Sequence, residues 1–367
     1  MIVGVLKEPS FESRVSLLAE GAATLIKKGI SVWVESSAGV KSFTNDEDYV
    51  KTGSIIKTKE EILQQADIIL SINHPEISNI GQRSSVIYIG IYQPLFNASL
   101  MHDWAKQNLT VFSLDMLPRT SRAQSMDVLS SQANIAGYKA VLLAANSYPR
   151  YFPMFMTAAG SIPPAKVLIL GAGVAGLQAI ATARRLGAVV EVFDTRPAVK
   201  EEVMSLGAKF IEVEGAADAS KAGGYAVEQK EEFLQKQKIK IAESIAKADV
   251  VITTAQIPGK KAPILVTTEM MEAMKKGSII IDLAAATGGN TELTKNNETI
   301  NHNGVSIIGN SFLASQMPYD ASKMYGKNVL NFLQLIIDKE GNISLNFEDD
   351  LVKGSCITHN GEMLKQI

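Results

Sequence analysis

The stretch Lys166-Val-Leu-Ile-Leu170, followed by Gly171-Ala-Gly173-Val-Ala-Gly176, decides the fold of this 367-residue chain. Its apolar run is typical of a buried parallel strand, and its glycines occupy the three places of the G-x-G-x-x-G pattern. The first glycine makes a tight turn, the second lets the backbone approach a pyrophosphate, and the third lets the next helix pack on the sheet. The helix after the turn directs its positive end at the same phosphates. The stretch therefore predicts a dinucleotide-binding βαβ unit.

The residue that closes the next predicted strand, Asp194, indicates which dinucleotide binds. A carboxylate at this place can accept hydrogen bonds from both hydroxyls of the adenosine ribose, and it would repel a 2′-phosphate. We therefore expect NAD(H) rather than NADP(H). The alternative is a glycine turn without a ligand, which the complete βαβ context disfavours. The predicted cofactor-binding residues of this turn and strand are Gly171, Gly173, Val174, Gly176 and Asp194.

Composition limits the class of function. The 36 basic and 38 acidic residues nearly balance, and no basic run stands out, so we expect no nucleic-acid partner. The single cysteine, Cys356, excludes an internal disulfide, and the four histidines are scattered, so no metal site is predicted. The N-terminus lacks the features of a signal peptide, and no apolar run reaches about 18 residues. These features favour a cytoplasmic protein.

Strands alternate with helices along the chain, which predicts an α/β fold of two Rossmann-like parallel-sheet domains. We expect the first α/β domain over 1–126 and 320–367, and the NAD-binding Rossmann domain with its crossing helices over 127–319. Two long helices, predicted over 127–147 and 317–337, would join the domains. They would leave an interdomain cleft onto which the glycine turn opens. Residues 157–164 are expected to form a loop into the dinucleotide strand.

One insertion interrupts this rhythm, in the segment 215–232. It is longer than most connections between a strand and a helix in such folds, and it is rich in small residues. Gly223 and Gly224 could serve as hinges, with Tyr225 on the tip. The two interpretations are a lid over the bound ligand and an ordinary surface loop. The lid is favoured because the segment leaves the sheet on the side where ligands bind in this fold.

A second polar cluster lies just before the first long helix. It contains Arg119, Arg122, Gln124, Asp127 and Ser130. A plain interpretation is a loop, a helix N-cap and a polar first turn. A functional interpretation is that a guanidinium holds a nicotinamide carboxamide, with Asp127 neutralising and orienting it. The residues alone leave both interpretations open.

A family resemblance favours the functional interpretation. The chain closely resembles the NAD(H)-binding component, domain I of the alpha subunit, of proton-translocating nicotinamide nucleotide transhydrogenase. That family belongs to a superfamily with alanine dehydrogenase. The segments that carry the resemblance are 119–127, 156–160, 171–187, 222–225 and 280–284.

The resemblance implies a division of labour. NAD(H) binds to this component, NADP(H) binds to a separate component, and a membrane component conducts protons. Hydride passes directly between NADH and NADP⁺ across the interface, coupled to proton translocation. Such a transfer needs proximity, orientation and dry surroundings rather than an acid or base. The resemblance also implies a homodimer that is peripheral on the inner membrane through its partner subunits.

The resemblance assigns roles to individual residues. Arg119 would hold the carboxamide of the bound nicotinamide, and Gln124 would reach toward the NADP(H) partner. Asp127 and Ser130 would belong to the same catalytic cluster. On the lid segment, Gly224 and Tyr225 would close over NAD.

Two rival functions remain. One is an alanine dehydrogenase-like amino-acid dehydrogenase. In those enzymes a lysine and a histidine bind and polarise the pyruvate carbonyl, whereas the corresponding positions here hold Asn73 and Gly90. The neighbouring His74 lies one place from the lysine position. Without the acid/base pair, reduction of a 2-oxo acid should be poor. The other rival is a non-catalytic NAD-binding regulatory module.

Overall fold

The structure, a computed structural model, describes residues 1–76, 86–215 and 230–365. Its chain divides into two compact units, Met1–Gln132 with Ala314–Ile367, and Ala133–Leu313. We call them unit 1 and unit 2. The predicted boundaries at 126/127 and 319/320 lie near these divisions. The predicted cleft between the domains stays a prediction.

The strands are numbered in chain order. They are β1 Ile2–Val5, β2 Ser31–Glu35, β3 Ile55–Lys57, β4 Ile68–Leu70, β5 Ile87–Gly90, β6 Thr110–Ser113, β7 Phe155–Thr157, β8 Gly160–Ile162, β9 Lys166–Leu170, β10 Val189–Phe193, β11 Lys209–Phe210, β12 Val250–Thr253, β13 Ile279–Asp282, β14 Thr299–His302, β15 Val305–Ile308, β16 Cys356–His359 and β17 Glu362–Met363.

The α-helices are numbered in the same way. They are α1 Ala19–Ile26, α2 Asp46–Lys51, α3 Lys59–Gln65, α4 Ala98–Lys106, α5 Val128–Ser147, α6 Val174–Arg185, α7 Lys200–Ser205, α8 Glu231–Ile245, α9 Thr268–Glu272, α10 Pro318–Ile336 and α11 Asp350–Ser355. Short 3₁₀ helices occupy Val40–Ser42, Leu114–Met116, Ser121–Met126, Pro197–Val199, Ala285–Thr287 and Ala314–Gln316.

Unit 1 is built on a sheet in the order β17-β16-β6-β5-β4-β1-β2-β3. The strands from β6 to β3 run parallel, as the alternation of strands and helices predicts. The C-terminal strand β16 adds to the edge of β6 in the antiparallel direction. The strands β3, β16 and β17 were not expected from the sequence, because each is short and supplies little periodicity. The fold class of this unit is nevertheless α/β, as predicted.

Unit 2 is built on a sheet in the order β11-β10-β9-β12-β13-β15-β14. All its pairs are parallel except the edge pair of β14 and β15. The central strand β9 is buried on both faces. Val167 and Ile169 pack into one apolar cluster, and Leu168 and Leu170 into the other. A continuous apolar run is what such a doubly covered strand requires, and the Rossmann-like prediction is confirmed.

Local signals explain where several helices begin. Asn45 and Asp48 form a reciprocal capping box at α2, and Thr58 and Glu61 form another at α3. Each box satisfies backbone N–H groups that would otherwise lack partners. The long helix α5 contains the division between the two units, while α10 lies within unit 1.

The segment before the dinucleotide strand differs from the prediction. Residues 157–164 were expected to form a loop, but β7 and β8 pair as an antiparallel hairpin with Gly160 at a φ of 134°. Every residue of these two strands is exposed. An isolated hairpin has no buried face, so its sequence lacks the alternation that reveals a strand. Across the described ranges, none of the helices combines the length and apolar character needed to cross a membrane.

Candidate nucleotide-binding site

The glycine turn lies at the carboxyl end of β9 in unit 2. Gly171 has a φ of 107°, which favours glycine because a side chain would be strained there. A Cβ on Gly176 would lie 1.9 Å from the carbonyl oxygen of Gly171, so only glycine allows this approach of helix and turn. The first and third glycines of the pattern are thus required by the protein itself.

The second glycine, Gly173, is different. It has an ordinary φ of −76°, and a Cβ added to it would meet no atom within 4 Å. The absence of a side chain therefore serves something outside the protein chain. Gly173 is also the N-cap of α6 and has no side chain to cap the helix. Val174 begins that helix, so the first-turn N–H groups face the space that a pyrophosphate would fill.

Asp194 follows β10 and joins that strand to the turn. Its Oδ2 accepts a hydrogen bond from the backbone N–H of Ala172 at 2.7 Å. The guanidinium of Arg196 donates from Nε to Oδ1 at 2.9 Å and from Nη2 to Oδ2 at 2.7 Å. The backbone N–H of Arg196 donates to Oδ1 at 2.8 Å. The carboxylate predicted to receive a ribose is therefore engaged by the protein and sits at the edge of the turn.

A threonine from the neighbouring strand supports the turn. Thr254 follows β12, and its hydroxyl donates to the carbonyl oxygens of Leu170 at 3.3 Å and Gly171 at 3.1 Å. A Cβ on Gly171 would lie 2.3 Å from this hydroxyl oxygen. Thr254 was not predicted from the sequence, because its partner lies 84 residues away in the chain. The signal that could have found it is a polar residue directly after a buried strand.

The loops after β12 and β13 are held by two buried polar residues. Asn290 accepts from the N–H of Ala255 at 3.0 Å and donates back to its carbonyl oxygen at 2.8 Å. Asp282 accepts from the N–H groups of Ala284 at 2.9 Å and Asn290 at 2.6 Å. Because the carboxyl ends of adjacent parallel strands share one edge, these loops lie on the same edge as the glycine turn. The arrangement gives that edge fixed backbone groups.

The second group of predicted site residues lies in unit 1. The segment Ser121–Met126 is a 3₁₀ helix, and α5 begins directly after Asp127. The Asp127 carboxylate accepts from the N–H of Ser130 at 2.9 Å and from its hydroxyl at 2.5 Å. Asp127 is therefore the N-cap of α5, as the plain interpretation of this cluster predicted. The pair also fixes the orientation of Ser130.

The two arginines of this cluster differ in surroundings. Arg119 and Gln124 are both exposed to solvent. Arg122 instead forms ion pairs with Asp349 and Asp350 at the start of α11. These contacts raise the pKa of Arg122, the hydrogen bond to Asp349 being the largest cause. Arg122 thus anchors the segment, and Arg119 and Gln124 are the members whose side chains are presented outward.

The two positions that distinguish alanine dehydrogenases have been put to other uses. Asn73 donates from its backbone N–H and its Nδ2 to Oε2 of Glu8, both at 3.0 Å. Glu8 is 8% exposed, and burial raises its pKa to about 7. At Gly90, a Cβ would lie 2.4 Å from the ring of Tyr92. His74, the neighbour that could have substituted for a missing base, is exposed.

The structure brings the predicted residues together in two groups. In unit 2 the turn residues and Asp194 form one site, and in unit 1 the residues from Arg119 to Ser130 form a continuous segment. Gly224 and Tyr225 lie outside the described residues. Within the described ranges, no group of three or more histidine, cysteine, aspartate or glutamate side chains could hold a metal ion.

Two α/β units, one carrying a glycine turn with an acidic residue after the next strand, define a class of nucleotide-binding α/β proteins. The chain belongs to the alanine dehydrogenase/PNT family. The N-terminal domain of that family matches residues 4–136, and the C-terminal domain matches residues 140–366. The resemblance inferred from the sequence motifs is confirmed.

Individual relatives sharpen this placement. The chain is 43% identical over 363 residues to the first segment of the two-chain NAD(P) transhydrogenase subunit alpha of Rhodospirillum rubrum, covering 96% of this chain and 94% of that protein. It is similar to the crystal structure of a transhydrogenase from Sinorhizobium meliloti, with a TM-score of 0.90 and 45% identity, covering 99% of this chain and 100% of that one. An alanine dehydrogenase of Methanococcus maripaludis is 27% identical over 305 residues, covering 80% of this chain and 74% of that protein.

Proposed function

We propose that this protein is the NAD(H)-binding component of a proton-translocating transhydrogenase, and that it exchanges hydride with NADP(H) held on a partner component. The observation that carries the proposal is a nucleotide-binding turn in a chain whose two substrate-reducing positions, Asn73 and Gly90, hold no acid or base. Such a chain has a place for a redox cofactor but lacks the machinery for a small carbonyl substrate. The hydride acceptor must then come from elsewhere, which agrees with the transhydrogenase subunits among its relatives.

The turn in unit 2 is the proposed site of NAD(H). Open space above Gly173 and the uncapped first turn of α6 suit a pyrophosphate. Asp194 suits the ribose hydroxyls and disfavours a 2′-phosphate through like-charge repulsion. Bound in this way, NADH supplies the hydride, while the protein holds and orients it.

The segment in unit 1 is the proposed nicotinamide-end cluster. Arg119 would hold the carboxamide through paired N–H donors. Asp127 fixes Ser130 by two hydrogen bonds, so both stand in a defined orientation at the start of α5. Gln124, whose side chain is exposed, would face the NADP(H) component. None of these groups needs to move a proton, because hydride transfer depends on proximity and orientation.

The proposed partners are a second copy of the chain, an NADP(H)-binding component and a membrane component that conducts protons. The exposed hairpin of β7 and β8 supports self-association. Its surroundings present Tyr151 stacked on Phe155 with ring centroids 4.6 Å apart, and Met156 is 72% exposed. Exposed apolar groups of this kind mark interaction surfaces. The protein would reside in the cytoplasm, peripheral on the inner membrane through its partners.

A mixing assay tests the proposal. The purified chain is combined with an NADP(H)-binding transhydrogenase component, NADH and an NADP⁺ analogue whose reduced form absorbs at its own wavelength. We expect analogue reduction only when both proteins are present.

Two results would favour the rival functions. Robust NADH oxidation by pyruvate and ammonia with the isolated chain would establish an alanine dehydrogenase. Tight NADH binding without transfer in the mixture would establish a regulatory module.

A further inference from the structure

Asn328, on α10, ties together the two halves of the nicotinamide-end cluster. Its Nδ2 donates to the carbonyl oxygen of Ser125 at 2.8 Å, and its Oδ1 accepts from the hydroxyl of Ser131 at 2.7 Å. Ser125 follows Gln124 directly, and Ser131 follows Ser130 directly. One side chain, 6% exposed, therefore sets the distance between the backbones that carry two proposed catalytic residues.

A second amide reinforces the same contact. Asn331 donates from its Nδ2 to the carbonyl oxygen of Ser125 at 2.9 Å. That carbonyl lies in the last turn of the 3₁₀ helix Ser121–Met126, where backbone acceptors have few partners within the helix. Two amide donors on one carbonyl fix the direction of the peptide that follows Gln124. Since α10 is long and well packed, it provides a rigid reference for that peptide.

The opposite end of the segment is anchored on α11. Arg122 pairs with Asp349, which is also the N-cap of that helix and accepts from the N–H of Leu351 at 2.9 Å. At Gly354, a Cβ would lie 2.3 Å from the ring of Pro118, so α11 packs directly on the start of the segment. The residues between Pro118 and Ser131 are thus held at both ends by elements of unit 1.

We infer that Asn328 is a positioning residue for hydride transfer, acting through Ser125 and Ser131 on the orientation of Gln124 and Ser130. The inference rests on the proposed function. Asn328 is not part of the nucleotide-binding turn, and its contacts are to the backbone and a hydroxyl of unit 1. Displacing reacting groups by about 1 Å can slow a reaction about 100-fold while leaving binding largely intact. The signature of Asn328 is therefore a loss of transfer rate without a matching loss of NADH affinity.

The main variant is Asn328→Asp, which keeps the acceptor for Ser131 and replaces the donor to Ser125 by a carboxylate oxygen. A milder variant, Asn331→Ala, removes only the second donor. Ser131→Ala removes the other contact of Asn328 and leaves α10 unchanged. Gln334→Ala, at an exposed position of the same helix, is the matched control.

The measurements are the NADH dissociation constant, the single-turnover transfer rate with excess NADP(H) component, and the melting temperature. We expect Asn328→Asp to slow transfer by about 10- to 100-fold while NADH affinity changes by less than about 3-fold. Asn331→Ala and Ser131→Ala should give smaller losses of the same kind, and Gln334→Ala none. If Asn328→Asp does not fold, the comparison rests on Asn331→Ala and Ser131→Ala.

The results separate the two proposals. Wild-type transfer together with unaltered rates in all three variants overturns the positioning role alone. A rate loss that only follows weaker NADH binding or a lower melting temperature also overturns it. Absence of transfer by the wild-type mixture overturns the proposed function, and this inference with it.

Discussion

Arg196 holds Asp194 in a two-pronged ion pair, with Nε 2.9 Å from Oδ1 and Nη2 2.7 Å from Oδ2. The same carboxylate accepts the backbone N–H groups of Ala172 and Arg196. A carboxylate has about four acceptor positions, and all are in use. For Asp194 to accept ribose hydroxyls, the guanidinium must give up its contacts. Arg196 is therefore a competitor that the nucleotide must displace.

This competition leads to a prediction for Asp194→Ala. Loss of hydrogen bonds to a charged group costs about 1.5 to 3 kcal/mol each, so NADH affinity should fall by about 10- to 100-fold. The released guanidinium of Arg196 should at the same time attract a 2′-phosphate, so the preference for NADH over NADPH should narrow. Fluorescence titration with each nucleotide measures both effects. Glu191→Ala, on the same strand, is the control, and unchanged NADH affinity in Asp194→Ala would refute the ribose assignment.

The second and third glycines of the turn should respond differently to alanine. Gly173→Ala adds a methyl group into open space, so the protein should fold normally and lose NADH affinity by at least about 10-fold through collision with the ligand. Gly176→Ala forces a methyl group against the Gly171 carbonyl, so it should destabilise the fold by about 1 to 3 kcal/mol or more. Thermal unfolding and NADH titration of both variants make the test. Full NADH affinity in Gly173→Ala would contradict a pyrophosphate at that place.

Gln124→Asn should separate binding from transfer. The shorter side chain keeps the amide but reaches less far from an exposed position. We expect NADH affinity to stay within about 2-fold of wild type, and transfer to slow by about 10-fold, because the contact to the partner side is shortened. The two quantities come from titration and from the mixing assay. A large loss of NADH binding would instead place Gln124 on NADH itself.

Glu8 should make stability depend on pH. Burial raises its pKa from 4.5 to about 7, so the native state keeps a proton that the unfolded chain releases. The stabilisation from this group is complete below about pH 4.5 and is lost as the pH rises through about 7, amounting to as much as about 3 kcal/mol. Urea unfolding at about pH 5 and about pH 8 should show a smaller loss in Glu8→Gln than in wild type. Equal losses in both proteins would assign the effect to another group, and Glu47→Gln, an exposed glutamate of α2, serves as control.

The sequence predicted the local part of the nucleotide site well. The strand β9, the glycine turn and Asp194 lie within one βαβ unit, where spacing alone carries the geometry. Arg196 was overlooked although it stands two residues after Asp194, because nothing in the pattern says that the carboxylate needs an internal partner. Thr254 could not be foreseen from spacing, since its contact with the turn arises only when β12 lies beside β9.

The cluster in unit 1 shows the same limit. The cap at Asp127 follows from local rules, and it was among the interpretations offered. The support of that segment by Asn328 and by Asp349 depends on contacts with helices about two hundred residues later, as the separations of 203 and 227 show. The hairpin of β7 and β8 was missed for another reason, because its residues are exposed and carry no alternation of apolar and polar positions.

The packing of Tyr92 beside Gly90 also constrains how this chain can evolve. Tyr92 contacts Trp104 edge-to-face at 5.2 Å, and its hydroxyl lies 3.0 Å from that of Ser71. A histidine at position 90 would collide with this buried ring before it could serve any substrate, and a lysine at position 73 would remove the amide donor that Glu8 uses. Neither change is useful without the other, and each is harmful alone. Natural selection would therefore have to cross a fitness valley of several simultaneous substitutions to give this lineage an amino-acid dehydrogenase.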